Sequence, residues 1–129
     1  MSYVLDTCAL IWWTLDPDQL SKKAEEACRK MMKGEAFVSS ISLWELGIKI
    51  KNKKIDIGMG IESYVTKLEQ ISYLTILPVD TTLWLKNISL DWKHKDPADR
   101  TIVATALQKK AQLITKDETI REFYSKSVW

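Results

Sequence analysis

Short apolar runs alternate along this sequence with longer amphipathic stretches, as in proteins whose strands are joined by helices. Four apolar runs predict buried strands, over residues 2–5, 36–39, 75–79 and 112–114. Periodic stretches predict helices over residues 7–15, 22–33, 42–51, 61–71, 81–89 and 96–110, and a last short helix begins at Glu118. Strands that alternate with helices imply crossover connections, so we expect a mostly parallel sheet covered on both faces. The predicted fold class is therefore α/β.

Three of the predicted helix ends carry specific signals. The stretch over residues 96–110 is the clearest helix, because Asp96 can cap its N-terminus and a proline occupies the first helical position. Gly34 follows the second helix, where a left-handed residue often ends a helix, so we expect that conformation there. Ser42 and Glu45 form a capping-box pattern, which predicts that the third helix begins at Ser42.

The composition is that of an ordinary globular protein. Apolar residues make up 46% of the 129 residues and charged residues 28%, which argues against disorder. A chain of this length can bury a sizeable core, and we expect one domain over residues 1–129. Cys8 and Cys28 lack the spacing of a metal motif, so neither a disulfide framework nor a zinc site is indicated. The sequence has neither a signal-type segment nor an apolar run of about 20 residues, so we expect a cytoplasmic protein without a membrane partner.

Four carboxylates lie at separate points close to the predicted strands and helix starts. Asp6 directly follows the first strand and Asp117 follows the last, while Glu45 and Asp99 lie near the starts of two helices. In parallel α/β sheets, ligands bind at the carboxyl ends of the strands, so acids that follow separate strands can meet there. Oxygen ligands without a histidine or cysteine cluster suit magnesium or manganese better than zinc.

Each acid also has a purely structural interpretation. Glu45 can complete the capping box, and Asp96 and Asp99 lie where a helix dipole favours acids. Asp117 can cap the last helix. Asp6 is harder to explain in this way, because a carboxylate behind a buried strand loses hydration unless a partner compensates it. The residues alone leave both interpretations open.

Two other acid-dependent α/β chemistries fit these residues less well. A phosphotransferase of the haloacid dehalogenase kind requires a second aspartate two positions after the first, where this chain has Cys8. A response-regulator receiver requires adjacent acids at the end of its first strand, and residues 3–7 contain only Asp6. We therefore set both aside.

Four segments, in order, resemble the PIN-domain family and, within it, the VapC-type toxins of bacterial toxin–antitoxin systems. They are Leu5 to Thr7 with Ala9 to Trp12 behind them, residues 39–45, residues 94–106, and Leu113 to Asp117. Together they span almost the whole chain. The resemblance implies a three-layer α/β/α sandwich around a mostly parallel central sheet. It also implies an acidic quartet that binds Mg²⁺ or Mn²⁺, formed by Asp6, Glu45, Asp99 and Asp117.

Family members of this type cleave RNA, so the resemblance implies a metal-dependent endoribonuclease that hydrolyses phosphodiester bonds at the acidic quartet. It also implies inhibition by a cognate VapB-type antitoxin whose C-terminal segment lies across the toxin, and we expect a homodimer. Thr115 matches the hydroxyl residue that accompanies the last acid, and Thr7 and Asp96 are expected to support the site. Two alternatives stay open: a catalytically silent PIN module that binds RNA or protein, and a housekeeping nuclease of RNA processing or DNA repair.

Basic residues near the acids are candidates for contacts with the RNA backbone. Lys49 and Arg100 each lie four residues after an acid, so a helical ion pair is an alternative for both. The candidates are Lys49, Lys51, Lys53, Lys54, Lys95, Arg100 and Lys116.

The histidine and the tryptophans give weaker signals. His94 lies between two lysines, and we expect a solvated loop residue there. Trp44 and Trp84 are expected on the core faces of their helices. Trp12 and Trp13 are adjacent on one helix and cannot both face inward, so we expect one of them at a partner groove or dimer face.

Overall fold

A five-stranded parallel sheet forms the centre of the computed structural model, which describes residues 1–129. Its strands are β1 (Ser2–Leu5), β2 (Glu35–Ser39), β3 (Leu74–Leu77), β4 (Gln112–Ile114) and β5 (Ser127–Val128). Their order across the sheet is β3-β2-β1-β4-β5, and every neighbouring pair is parallel. The chain runs outwards from β1 to β3 and then crosses to the other side of β1. The direction of winding therefore reverses between β1 and β4.

Seven α-helices connect and cover these strands. They are α1 (Thr7–Leu15), α2 (Lys22–Met31), α3 (Ser40–Lys51), α4 (Ile61–Glu69), α5 (Thr81–Ser89), α6 (Pro97–Lys109) and α7 (Glu118–Phe123), with a 3₁₀ turn over Pro17–Gln19. None of them combines the length and the hydropathy that a membrane span requires. The predicted alternation of strands and helices is confirmed. Strand β5 was not predicted, because a strand of two residues is too short to show an apolar run or an alternation of apolar and polar residues.

Helices cover both faces of the sheet. Alternate strand residues point to opposite faces. Tyr3 and Leu5 face one hydrophobic core together with residues of α1, α2 and α4, whereas Val4 faces a second core with residues of α6 and α7. Helix α5 packs against α6 on this second side. The molecule is a three-layer α/β/α sandwich, and the predicted fold class is confirmed.

Helix α6 has the boundaries that the sequence indicates. Asp96 is its N-cap, and Asp96 Oδ1 accepts a hydrogen bond of 2.9 Å from the backbone N–H of Asp99. Pro97 occupies the first helical position, where its missing N–H costs no helical hydrogen bond. The helix ends at Lys109, and its C-cap, Lys110, adopts the left-handed conformation with φ 52°. The predicted capping role of Asp96 is confirmed.

The prediction of a left-handed Gly34 is wrong. Its φ is not positive, and α2 ends before it without a left-handed residue. A Cβ at this position would collide with the backbone carbonyl oxygen of Met1, which also accepts a hydrogen bond of 3.1 Å from the N–H of Glu35. Gly34 is therefore required for the close approach of two backbone segments rather than for its freedom of φ.

The predicted start of the third helix is also wrong. Helix α3 begins at Ser40, and its N-cap is Ser39, whose hydroxyl accepts a hydrogen bond of 3.2 Å from the N–H of Ile41. Ser42 lies inside the helix and is buried. Glu45 consequently does not complete a capping box, and its carboxylate is available for another role.

Two tryptophans that we expected on core faces lie on the surface instead. Trp44 on α3 is 61% exposed, and Trp84 on α5 is 40% exposed. The inward faces of these helices carry smaller residues, such as Leu46 on α3 and Leu83 on α5. Helical periodicity groups residues onto one face, but packing against α6 and the sheet decides which face turns inward.

Candidate active site

The candidate site lies at the carboxyl ends of β1 and β4, where the winding of the sheet reverses. Asp6 follows β1 and Thr115 follows β4. The Thr115 hydroxyl donates a hydrogen bond of 2.5 Å to Asp6 Oδ2, and the Asp6 N–H donates one of 3.2 Å to the carbonyl of Ile114. The crevice at such a switch point is the usual ligand site of open parallel sheets.

Asp6 is a buried carboxylate with neutral partners only. Its residue is 7% exposed. While Oδ2 accepts from Thr115, Oδ1 accepts a hydrogen bond of 2.8 Å from the N–H of Ala9 and thereby caps α1. No lysine, arginine or histidine forms an ion pair with it. The fold therefore stabilises this charge by hydrogen bonds alone.

Asp117 is tied to the same threonine. Its backbone N–H donates a hydrogen bond of 3.1 Å to Thr115 Oγ1, and its own Oδ1 accepts one of 3.0 Å from the N–H of Ile120. Asp117 thus caps α7 in the way that Asp6 caps α1. The Thr115 hydroxyl links the two acids, which explains why this position needs a hydroxyl group.

Glu45 reaches the site from α3. The Thr7 hydroxyl donates a hydrogen bond of 2.6 Å to Glu45 Oε1 and lies 2.9 Å from the Ser42 hydroxyl. Both Thr7 and Ser42 are buried. The serine that we expected to begin a capping box therefore helps to fix the glutamate from inside the helix.

Asp99 is held by the histidine of the preceding loop. His94 Nε2 lies 2.7 Å from Asp99 Oδ2, and the His94 ring packs against Trp92 with centroids 4.8 Å apart. The His94 side chain is only 27% exposed. The prediction of a solvated loop histidine is wrong, because a tertiary contact that no sequence pattern encodes brings this residue to the acid.

Arg100 fixes the loop that carries His94. Its guanidinium donates hydrogen bonds of 2.6–3.1 Å to the backbone carbonyls of Asn87, Leu90, Trp92 and His94. Its Nε donates to the side-chain oxygen of Asn87 at 3.3 Å. These bonds occupy the whole group, and no ion pair with Asp96 forms. We therefore remove Arg100 from the candidates for RNA contact.

All four acids of the predicted quartet line one cavity of about 260 Å³. Lys49 and Lys116 line it as well, and Lys49 forms no ion pair with Glu45. Asp96 and the other predicted RNA contacts, Lys51, Lys53, Lys54 and Lys95, are exposed outside the lining. The residues that sequence reasoning did not assign to this site are Cys8, Trp12 and Ile102.

The electrostatics of the cavity reflect uncompensated negative charge. The pKa of Asp6 is raised to about 6, chiefly by burial; the hydrogen bonds from Thr115 and Ala9 oppose this rise, and the charges of Asp99 and Asp117 contribute to it. Burial also raises the pKa of Asp99, and the charges of Asp96 and Asp117 add to this effect. A cation in the cavity would favour the ionised form of both groups.

The donor set suits a hard divalent cation, although the side chains are not arranged around one. As they stand, no three acidic, histidine or cysteine groups are positioned to hold a metal ion together. Each acid instead faces a hydrogen-bond donor of the protein. Glu45, Asp99 and Asp117 each use one carboxylate oxygen in these bonds, which leaves the second oxygen for a ligand. Oxygen-only donors are the ligands that Mg²⁺ and Mn²⁺ prefer.

The raised pKa of Asp6 predicts a pH-dependent stability cost. Since the pKa is about 6 in the folded state and 3.8 without the fold, the folded protein holds the proton more tightly. The proton on Asp6 therefore contributes to the free energy of unfolding. This contribution is fully present below about pH 4 and is lost as the pH rises through about 6. We expect Asp6→Asn without divalent metal to be more stable than the wild type by about 2–3 kcal/mol near neutral pH.

Urea unfolding in EDTA at several pH values measures this difference. The advantage of Asp6→Asn should shrink towards zero as the pH falls below about 4, where the wild-type carboxyl becomes protonated in the unfolded state as well as in the folded state. Parallel pH profiles of the two proteins would contradict the assignment of this cost to Asp6.

The network around Arg100 predicts a structural rather than an RNA-binding role. Arg100→Met keeps the apolar stem but leaves several carbonyls without a donor, so we expect the free energy of unfolding to fall by about 2–4 kcal/mol. Lys95→Met is the matched control, since Lys95 is exposed, and it should change stability by less than about 0.5 kcal/mol. Equal urea midpoints for the two variants would rule out this role.

Comparisons with known proteins agree with the predicted family and fold. The model of the PIN domain family matches residues 3–126. A curated relative, ribonuclease VapC22 of Mycobacterium tuberculosis, is 28% identical over 119 residues, which cover 92% of this chain and 88% of the relative.

Several solved structures share this fold. A toxin–antitoxin complex from Klebsiella pneumoniae has a TM-score of 0.67 at 20% identity, covering 98% of this chain and 96% of the other. VapBC2 from Rickettsia felis, bound to a promoter DNA fragment, has a TM-score of 0.66 at 18% identity, covering 95% and 93%. FitAcB from Neisseria gonorrhoeae has a TM-score of 0.61 at 20% identity, covering 92% and 89%. These likenesses concern the fold, whereas the match over residues 3–126 identifies the chain as a member of the PIN domain family.

Proposed function

We propose that this protein is an endoribonuclease of the VapC toxin type, which hydrolyses RNA phosphodiester bonds in the acidic cavity. The observation that carries the proposal is the meeting of four carboxylates, distant in sequence, in one cavity at the switch point of the sheet. The relative that is named a ribonuclease supports the predicted nuclease class. Because RNA is the proposed substrate, we place the protein in the cytoplasm, as one domain over residues 1–129.

Asp6, Glu45, Asp99 and Asp117 are the residues that we propose to hold Mg²⁺ or Mn²⁺. When bound, a divalent cation activates water and stabilises charge on the phosphoryl and leaving oxygens of an in-line displacement. Hydrogen-bond partners within the protein orient these ligands. Thr115 fixes one oxygen of Asp6, Thr7 fixes one oxygen of Glu45, and His94 fixes one oxygen of Asp99.

Lys49 and Lys116 are the basic residues that we propose for contact with the RNA backbone. Both line the cavity beside the acids and have no carboxylate partner. Two cations at the rim of an acidic cavity attract the polyanion while the acids bind the metal. Lys95 and the lysines at 51, 53 and 54 lie farther out, and their contact with RNA stays a prediction.

Loss of an acid tests the catalytic proposal. We expect Asp6→Ala and Asp99→Asn to lower the rate of RNA cleavage by at least about 100-fold, because each removes a ligand of the metal. Asp80→Asn is the matched control, since Asp80 caps α5 through a hydrogen bond of 2.9 Å from the Leu83 N–H but does not line the cavity. Cleavage is measured by mapping new ends in total RNA, with Mg²⁺ and with EDTA, and circular dichroism checks the fold.

The same assay separates the proposal from its alternatives. A catalytically silent PIN module would leave RNA intact under every condition while still binding it. Cleavage that persists in EDTA or in the Asp6→Ala protein would contradict the metal site and show a contaminating activity. Only cleavage that requires both the metal and the acids agrees with the proposal.

We further propose an antitoxin of the VapB type as the partner. The structural neighbours include a toxin–antitoxin complex and VapBC2, and this chain shares their fold. An apolar cavity of about 350 Å³ between α1 and α4 offers a surface for an amphipathic segment. Its apolar lining is Trp13, Leu15, Met59, Tyr64, Leu68 and Ile71, of which Tyr64 bonds to the Thr14 hydroxyl.

Expression in bacteria tests this partner. We expect the wild-type chain to arrest growth and Asp6→Ala to leave growth normal, because only the first cleaves RNA. Co-expression of the small gene that neighbours the coding sequence should restore growth, and its purified product should inhibit cleavage. A neighbouring product without effect on purified enzyme would favour the housekeeping nuclease instead.

The homodimer stays a prediction, and we place its interface at α5. Leu85 and Ile88 on this helix are exposed, with Trp84 half-exposed beside them. Helix α5 packs on α6, so its outer face is free of other elements of this chain. Apolar side chains grouped on an outer helix face are typical of interfaces.

A further inference from the structure

Trp12 is the aromatic residue that lines the acidic cavity. It lies on α1, the helix that Asp6 caps. Its neighbours Ile11 and Trp13 pack against the larger hydrophobic core, whereas Trp12 is a member of neither core. Core packing therefore does not explain why this large ring is held at the cavity, half-exposed and beside the candidate metal ligands.

Trp129 supports the ring from one side. The two indole centroids are 5.6 Å apart, with the planes tilted by 51°. Trp129 packs against the larger core and directly follows β5, so it is anchored to the sheet. A tilted aromatic contact of this kind restricts the orientation of the Trp12 ring. The cavity therefore has a rigid aromatic wall on the side of α1.

Lys116 lies over the Trp12 ring. Its Nζ lies 5.7 Å from the ring centroid, and the residue stands between Thr115 and Asp117 in the loop after β4. A cation–π contact at such an accessible site is weaker than the stacking of a nucleobase on an aromatic ring. The flexible Lys116 side chain can leave the ring and bind a phosphate oxygen of RNA instead. The ring is then free to stack on a base, so two contacts with RNA replace the one contact between lysine and ring.

We propose that Trp12, backed by Trp129 and flanked by Lys116, is a stacking site for one unpaired nucleobase next to the scissile phosphate. This inference rests on the proposed RNA cleavage for the position of that phosphate. A base must leave its helix to stack on a protein ring, so the substrate is single-stranded at the cleavage site. Every base has a π face, so the site selects for an unpaired base rather than for one sequence.

Binding of a labelled single-stranded RNA oligonucleotide in EDTA, followed by fluorescence anisotropy, tests the site without cleavage. We expect Trp12→Leu, which keeps apolar volume without an aromatic face, to weaken binding about ten-fold, and Trp12→Phe to weaken it less than about three-fold. Trp44→Ala removes an exposed tryptophan that does not line the cavity and should leave the affinity unchanged. Thermal unfolding of each variant controls for the fold.

A scan with abasic nucleotides makes the test specific for stacking. In the wild type, one abasic position should weaken binding about as much as Trp12→Leu does. In Trp12→Leu, the same abasic position should have no further effect on binding. The protein substitution and the abasic nucleotide remove the same stacking contact, so their effects are not additive. Binding of a fully paired RNA duplex should be equal in the two proteins.

Three other results would contradict the inference. Additive effects of Trp12→Leu and every abasic position would mean that the ring acts by packing alone. Equal losses for duplex and single strand would mean a general electrostatic effect. Unchanged RNA binding together with lost antitoxin binding would assign Trp12 to the protein partner.

Cleavage assays keep this inference distinct from the proposed function. If wild type cleaves RNA and Trp12→Leu cleaves the same sites equally well, the stacking site is wrong and the nuclease stands. If wild type fails to cleave with Mg²⁺ while the non-additivity in binding persists, the stacking site stands and the nuclease is wrong.

Discussion

One buried carboxylate without a cationic partner organises this molecule. Asp6 ends β1, caps α1 through the Ala9 N–H and accepts the Thr115 hydroxyl from the end of β4. The same group therefore joins the two strands between which the winding reverses. Desolvation makes this position unfavourable for a charge, as the raised pKa of Asp6 records. Burial of this charge lowers the stability of the fold, which is typical of a residue that is retained for function.

Neutral donors hold three of the four acids of the cavity, and His94 holds the fourth, Asp99. Hydroxyl groups hold Asp6 and Glu45, and a helix N–H holds Asp117. The one arginine close to the site, Arg100, donates to backbone carbonyls and fixes a loop. The protein thus orients the acids without compensating their negative charge, which a metal ion would do in the proposed function. This separation of orientation from charge compensation is what a metal-dependent nuclease requires.

The sequence was sufficient to predict a mostly parallel sheet covered by helices, because strands that alternate with helices require crossover connections. The meeting of the acids was one of two open interpretations, which the resemblance to the PIN family favoured, and the strand order was not predicted. The sequence was not sufficient where neighbouring signals compete or where a contact is purely tertiary. Serines at 39 and 42 both offer an N-cap, and the pattern favoured the wrong one, which misassigned Glu45. The contact of His94 with Asp99 depends on carbonyls that Arg100 gathers from a loop, and no periodic pattern encodes them.

Helix α1 carries an acid at its start and an aromatic ring less than two turns later. A helix does not stretch, so the rise from Asp6 to Trp12 is fixed at roughly 9 Å along its axis. Changes elsewhere around the cavity leave this length unaltered. Helix α1 therefore sets a constant spacing between the first acid and the aromatic ring, and under the proposed function this spacing would hold an RNA chain in one register relative to the acids.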